Sequence, residues 1–313
     1  MKSIMYHYVR EFDSKQPYFI YLDVVNFEKQ LNWFLQNFNI LSRIEYETSL
    51  EEKIAPKNSI ILTFDDGLSD HYKYVFPILK KMGLWAIFFV SSEPLEKRNM
   101  LNVHKIHYLL GKYGGDIVLD ALNSLISDNV FVDNYNYRFN DSTYVKQVAD
   151  TSTSNVKRII NYYIKPELKD KILLDLFEYF KESETVISSD FYLNKDQINE
   201  MIDAGLSIGS HAHTHNLLSN LSYSEQKEEV RKSFAILNKI TGNRVFPSFC
   251  YPYGGKNSYN SKTIEILKNE NVRSSFIVRS ESVENSDLMY SKYEIPRFDC
   301  NEFPYGLASG LIG

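Results

Sequence analysis

The stretch Ile60-Ile61-Leu62-Thr63-Phe64-Asp65-Asp66-Gly67 joins a short apolar run to two adjacent carboxylates and a glycine. The apolar run predicts a buried strand, so that the two acids lie at its C-terminal end. Adjacent carboxylates repel each other, and burial adds a desolvation cost to each charge. A bound cation is the simplest group that offsets both costs. We therefore expect other parts of the chain to supply further ligands for a cation.

Strand-like and helix-like segments alternate on both sides of this stretch. Residues 59–64 and 85–90 have the apolar character of buried strands, and residues 72–82 between them carry apolar side chains at helical spacing. Strand, helix and strand in this order predict an α/β fold with a parallel sheet. Further strands are expected over residues 4–9, 206–209, 246–251 and 274–278, and further helices over residues 25–41, 193–205, 225–241 and 261–269.

Regular patterning fades between approximately residues 93 and 190. Residues 102–112 and 156–179 have helical spacing, with Pro166 interrupting the second segment, and residues 131–155 are polar and typical of a loop. We predict one catalytic domain over residues 1–313, with a largely helical insertion at approximately residues 93–190.

The composition of the chain excludes several classes of protein. It has 313 residues, of which 43% are hydrophobic and 24% charged, as in a globular protein. The net charge of −5 gives no reason to expect nucleic-acid binding. There is no apolar run of about 18 residues, so no membrane span is expected. The segment Met1–Arg10 lacks the apolar stretch of a signal peptide, which favours a cytoplasmic location.

Three of the seven histidines fall within five positions, at His211, His213 and His215, just after the predicted strand 206–209. The i, i+4 spacing of His211 and His215 would place both imidazoles on one side of a helical turn, with His213 pointing away. Two imidazoles and a carboxylate form a common divalent metal site that leaves positions for water and substrate. A solvated turn with incidental histidines is the alternative. The Asp65-Asp66 pair after another strand favours the metal site.

The segment Tyr251-Pro252-Tyr253-Gly254-Gly255 follows the predicted strand 246–251. Its proline and glycines predict a turn, where backbone N–H groups can stabilise a developing oxyanion. Taken alone, the segment is more typical of an ordinary turn. However, all three polar segments follow strands, and parallel α/β folds carry their active sites at the C-terminal ends of strands.

These segments resemble the motifs of the polysaccharide deacetylases, the NodB-type enzymes similar to carbohydrate esterase family 4. Residues 63–67 match the first motif, residues 210–215 resemble the second, and residues 251–254 resemble the third. The segment Met5-Tyr6-His7 is similar to the N-terminal motif of a circularly permuted branch, which includes biofilm poly-N-acetylglucosamine deacetylases. The resemblance covers roughly residues 1–93 and 190–300. It implies a distorted (β/α)7 barrel.

The resemblance also implies roles for individual residues. Asp66, His211 and His215 would hold one divalent metal ion. Zn²⁺ suits two imidazoles and a carboxylate, and Co²⁺, Ni²⁺ and Fe²⁺ suit them too. Asp65 would be the general base, and the backbone N–H of Tyr253 would contribute to an oxyanion hole.

The chain departs from the family pattern at two positions. The third motif usually begins with an arginine that orients the base, whereas this chain has Cys250. Arg297 is a candidate replacement, although a surface arginine paired with Asp299 is an equally good interpretation. The usual C-terminal acid histidine is also missing, because no histidine follows His215. In the permuted branch that role passes to the N-terminal histidine, which here is His7.

The reaction implied by the resemblance is metal-assisted hydrolysis of an N-acyl group on an amino sugar, with acetyl favoured over formyl. A cytoplasmic location would favour a nucleotide-linked or lipid-linked precursor of a surface glycan as substrate. Two alternatives stay open. One is a degenerate family member that binds glycan without hydrolysing it, and the other is a metal-dependent amidohydrolase acting on a non-sugar amide. The sequence leaves the sugar and the oligomeric state undetermined.

Overall fold

The computed structural model describes residues 1–132 and 150–309. The chain divides into two compact units. The first, which we call the barrel unit, comprises Met1–Arg10, Leu22–Arg98 and Asp190–Leu307. The second, the helical unit, comprises Glu11–Tyr21, Asn99–Ser189 and Ala308–Gly313. Every residue predicted for the active site lies in the barrel unit. The assignment of one domain with an insertion stays a prediction.

Seven parallel strands close into a barrel, in the order β1, β5, β6, β7, β8, β9, β10 and back to β1. The short strand β4 pairs with the start of β5, and β2 pairs with β3 in a separate ribbon. The predicted (β/α)7 barrel is thus confirmed. The strands are β1 Lys2–Tyr6, β2 Val9–Arg10, β3 Leu22–Asp23, β4 Asn39–Ile40, β5 Ser59–Phe64, β6 Ala86–Val90, β7 Ser207–Ser210, β8 Ser248–Cys250, β9 Ser274–Val278 and β10 Ile295–Asp299.

Helices connect the strands and form most of the regular structure described in the helical unit. The α-helices are α1 Val24–Asn37, α2 Arg43–Glu52, α3 Phe76–Met82, α4 Glu93–Lys97, α5 Asn102–Tyr113, α6 Gly115–Leu125, α7 Thr151–Arg158, α8 Pro166–Tyr179, α9 Glu184–Phe191, α10 Lys195–Asp203, α11 Tyr223–Thr241, α12 Ser261–Asn269 and α13 Asn285–Tyr290. Short π-helices cover His71–Val75 and Ile159–Tyr163, and 3₁₀ turns cover Asp128–Val130, Leu218–Asn220 and Cys300–Glu302. Within residues 1–132 and 150–309, none of the helices has the length and apolar character needed to cross a membrane.

The apolar runs of the sequence become strands that are buried on both faces. Every residue of β5 and of β6 is buried. Alternate residues of β5 pack into different core clusters, with Ile60 and Leu62 in one and Ile61 in the other. Burial on both faces explains why these strands show continuous apolar runs rather than an alternating pattern.

The structure corrects several predicted boundaries. The helix expected over residues 72–82 begins as the π-helix His71–Val75, and the strand expected over residues 246–251 shortens to β8. Residues 151–155, expected in a loop, lie in α7, and residues 133–149 of that predicted loop are outside the described residues. The sequence pattern also misses β10, because Pro296, Arg297 and Asp299 interrupt its apolar character.

Candidate active site

The Asp65-Asp66-Gly67 turn directs two adjacent carboxylates to different partners. The N–H of Asp65 donates to the carbonyl of Tyr6 at 3.0 Å, which continues the β1–β5 pairing. Asp66 and Gly67 then have φ values of 77° and 68°. A Cβ atom on Gly67 would lie 2.8 Å from Val90 Cγ1, so glycine is needed there. Two successive left-handed residues turn the chain sharply and separate the carboxylates.

Asp65 is buried and forms a bidentate ion pair with Arg297. The Nη1 and Nη2 atoms of Arg297 each donate to one carboxylate oxygen at 2.7 Å, and Nη1 also donates to Thr63 Oγ1 at 3.1 Å. Burial opposes the charge on Asp65, but the guanidinium charge and its hydrogen bonds lower the pKa of this carboxyl to about 2. Arg297 is 1% exposed, and this excludes a surface arginine paired with Asp299.

Cys250, the last residue of β8, also contacts this ion pair. Its Sγ atom lies 3.0 Å from Nη2 of Arg297 and 3.4 Å from Oδ2 of Asp65. Burial raises the pKa of the thiol, so it is protonated at neutral pH. Asp65, His211 and Cys250 have ligand atoms within 4.8 Å of one another. Because Arg297 engages both oxygens of Asp65 and the thiol keeps its proton, this group fits a metal ion poorly.

Asp66, His211 and His215 form a second buried group with ligand atoms within 4.8 Å of one another. Oδ1 of Asp66 lies 3.4 Å from Nε2 of His211 and 3.4 Å from Nε2 of His215. Ligands about 2.0–2.1 Å from a tetrahedral zinc ion lie roughly 3.3–3.4 Å from one another. The spacing and the donor types of this group therefore fit a divalent metal ion.

The histidine segment does not form the predicted helical turn. Ala212 and His215 have left-handed φ values of 62° and 60°, and a sharp loop brings the two imidazole rings to a centroid distance of 4.9 Å. Nδ1 of His211 lies 2.8 Å from the carbonyl oxygen of Cys250. A carbonyl oxygen only accepts, so Nδ1 donates this hydrogen bond, and Nε2 is the ring nitrogen that faces Asp66.

His213 is buried and belongs to neither candidate metal group. Its Nδ1 lies 2.8 Å from Ser92 Oγ, and its side chain contributes to the packing between the loops after β6 and β7.

His7 and Tyr253 lie beside these groups. Nε2 of His7 is 3.9 Å from Oδ2 of Asp65, and the His7 side chain is 39% exposed. Tyr253 follows β8 with a left-handed φ of 64°, and its ring centroid lies 5.1 Å from that of His215. The fold thus brings all seven predicted site residues to one end of the barrel. Their individual roles stay predictions.

His71 and Glu229 are further buried polar residues that contact the site without being among the predicted ones. Nε2 of His71 donates to the carbonyl of His7 at 2.9 Å, and the His71 ring packs against Phe64 and Phe88. Glu229 accepts hydrogen bonds from the histidine loop. Glu229 lies on α11 one turn from Gln226 and from Ser233, which are both buried. An amphipathic helix normally carries apolar side chains on this face, so a glutamate there was the signal available in the sequence.

Comparison with known proteins gives the family. The sequence model described as "Polysaccharide deacetylase" matches residues 52–127 and 131–286, which is more than half of the chain. The curated Bacillus subtilis protein named "Putative polysaccharide deacetylase YxkH" is 27% identical over 100 residues, which are 31% of this chain. That match spans 34% of the length of the relative.

Several solved structures have a similar fold. The Streptococcus pyogenes deacetylase PplD, solved in complex with acetate, has a TM-score of 0.59 at 17% identity, covering 96% of this chain and 91% of PplD. IcaB from Ammonifex degensii has a TM-score of 0.56 at 18% identity, covering 95% and 89%. A de-N-acetylase from Aggregatibacter actinomycetemcomitans has a TM-score of 0.53 at 13% identity, covering 95% and 93%. With the family model matched over most of the barrel, the chain belongs to the polysaccharide deacetylase family.

Proposed function

We propose that this protein is a metal-dependent hydrolase that removes an N-acyl group, preferentially acetyl, from an amino sugar. One observation carries the proposal. A buried group of one carboxylate and two imidazoles lies next to a second carboxylate, Asp65, which Arg297 keeps ionised and which is not part of that group. This combination suits metal-assisted hydrolysis of an amide, because metal binding and proton transfer then belong to different residues.

Asp66, His211 and His215 are the residues that would hold the metal ion. Zn²⁺ suits this donor set, and Co²⁺, Ni²⁺ and Fe²⁺ are alternatives. When bound, such an ion polarises the acyl carbonyl group and acidifies a water molecule. His211 is prepared for this role, because its Nδ1–H is already engaged by the carbonyl of Cys250.

The remaining chemistry belongs to side chains and backbone of this chain. Asp65 accepts a proton from the attacking water while Arg297 holds its carboxylate in place. The backbone N–H of Tyr253 donates to the oxygen on which negative charge develops. His7, whose Nε2 lies 3.9 Å from Asp65, donates a proton to the leaving amine nitrogen. The products are an amino sugar with a free amine and a small carboxylate.

The position of Arg297 supports a catalytic protein over a degenerate binding protein. Two departures favour degeneracy: Cys250 stands where the family motif has its arginine, and no histidine follows His215. The guanidinium of Arg297 nevertheless reaches the base from β10 and lies 3.0 Å from Cys250 Sγ. A protein that only binds glycan has no need of an ionised carboxylate held in this way.

For the substrate, we propose an N-acetylated amino sugar in a nucleotide-linked or lipid-linked glycan precursor. Two considerations support an acetylated amino sugar. The family to which the chain belongs is that of polysaccharide deacetylases, and PplD, which shares the fold, was solved with acetate.

We expect the protein loaded with Zn²⁺ or Co²⁺ to release acetate from nucleotide-linked N-acetylated amino sugars. The measurement is acetate release from three substrates: the nucleotide-linked sugars, oligomers of N-acetylglucosamine, and an N-acetylated amino acid amide as a non-sugar control. Release from long oligomers alone would contradict the precursor proposal. Release from the amino acid amide alone would contradict the proposed function and support a non-sugar amidohydrolase.

A further inference from the structure

Glu229 is a buried carboxylate that belongs to neither candidate metal group. It lies on α11 and is 8% exposed. Its Oε2 accepts hydrogen bonds from the backbone N–H groups of His213 at 3.0 Å and Thr214 at 2.9 Å. Its Oε1 accepts a hydrogen bond from the Thr214 hydroxyl at 2.7 Å. Both oxygens of Glu229 are therefore engaged by the loop that joins His211 to His215.

This loop has a conformation that its sequence does not favour by itself. Ala212 and His215 both have positive φ values, and neither is glycine. Non-glycine residues adopt the left-handed region at a cost in free energy, so such a loop persists only where the surrounding structure fixes it. Glu229 binds the two residues that lie between these strained positions.

The two ends of the loop are held differently. His211 is fixed by its own neighbours, because its N–H donates to the carbonyl of Val90 at 3.0 Å and its ring Nδ1 donates to Cys250. His215 directly follows Thr214, whose N–H and hydroxyl both donate to Glu229. The carboxylate of Glu229 therefore fixes the backbone from which the imidazole of His215 extends.

The charge of Glu229 is not explained by an ion pair with its helix neighbours. Lys232, three residues further along α11, lies 2.8 Å from Glu96 instead, and Nε2 of His213 lies 3.6 Å from the same Glu96 carboxylate. A buried carboxylate requires hydrogen-bond donors, and here the donors come from the histidine loop.

We infer that Glu229 is a positioning residue that holds His215 in the geometry needed for metal binding. The inference rests on the proposed function, because it assumes that His215 is a ligand. Removing a residue that orients a metal ligand typically weakens metal affinity about 10–100-fold.

The test is a titration of metal-free protein with Co²⁺, followed by its visible absorption spectrum, and with Zn²⁺, followed by calorimetry. We expect Glu229→Ala to weaken affinity for both ions about 10–100-fold. Glu229→Gln should retain most of the affinity, because its amide oxygen still accepts both backbone N–H groups and its NH₂ group can donate to Thr214 Oγ1. Glu228→Ala, an exposed neighbour on the same helix, is the matched control and should bind like the wild type.

A milder variant covers the case in which Glu229→Ala does not fold. Thr214→Val removes one of the three hydrogen bonds and should weaken Co²⁺ affinity by a smaller factor than Glu229→Ala. Wild-type affinity in folded Glu229→Ala, or in Thr214→Val when the alanine variant is unfolded, would overturn the inference and leave the proposed function intact. A wild-type protein that binds neither ion would overturn the proposed function and this inference with it.

Discussion

Replacing Asp65 with asparagine should lower kcat/KM for deacetylation by about 10²–10⁴-fold, the usual contribution of a general base. Asparagine has nearly the same shape, and its amide oxygen can still accept from Arg297, but it cannot take a proton from water. Metal content should stay at the wild-type level, because Asp66, His211 and His215 are unchanged. The measurements are acetate release and metal analysis of the purified variant.

Two control measurements distinguish loss of the general base from misfolding of the variant. Circular dichroism establishes that the Asp65→Asn protein is folded under the assay conditions. His7→Gln should also keep the metal while reducing kcat, because it removes the proposed proton donor to the amine. If Asp65→Asn retained wild-type activity with a full metal complement, Asp65 would not be the base and the proposed mechanism would fail.

Replacing Arg297 with methionine should lower the free energy of unfolding by about 3–5 kcal/mol, as expected when one partner of a buried ion pair is removed. The change leaves Asp65, which is 2% exposed, without the two charged donors that lie 2.7 Å from its oxygens. The activity should fall as well, because the base loses the group that orients it. Urea unfolding and acetate release measure the two effects.

A surface arginine elsewhere in the protein offers a matched control for this variant. Arg231 lies on the surface, with its side chain 58% exposed in an ion pair with Glu270, so Arg231→Met should change stability by no more than about 0.5 kcal/mol. The double variant Asp65→Asn with Arg297→Met should be more stable than the sum of the two single changes predicts, because it buries no unpaired charge. Strict additivity would show that the pair does not stabilise the barrel.

Much of the fold and site was predictable because the informative signals are local. The apolar run that ends at Phe64 predicted β5, and its continuity matched a strand buried on both faces. The TFDDG, SHAHTH and YPYG segments lie at the C-terminal ends of strands, where their residues converge. The approach of His211 to His215 was also predicted, although the assumed helical turn was wrong.

What the sequence could not supply depends on contacts between distant segments. The pairing of Arg297 with Asp65 follows from the position of β10 beside β1. The sequence alone supported a pairing of Arg297 with Asp299 equally well. The loop conformation at Ala212 and His215 depends on Glu229, which lies 14 residues beyond His215 on a helix that packs against β7. Spacing along α11 can place Glu229 on the buried face of the helix, but it carries no information about which loop its carboxylate contacts.

The most direct test is the metal content of the wild-type protein and of Asp66→Ala, measured by mass spectrometry after incubation with Zn²⁺ or Co²⁺ and removal of excess metal. We predict about one equivalent in the wild type, as the donor set of Asp66, His211 and His215 implies, and its loss in Asp66→Ala. Wild-type protein that stays empty after incubation with both ions would contradict the proposed metal-dependent hydrolase.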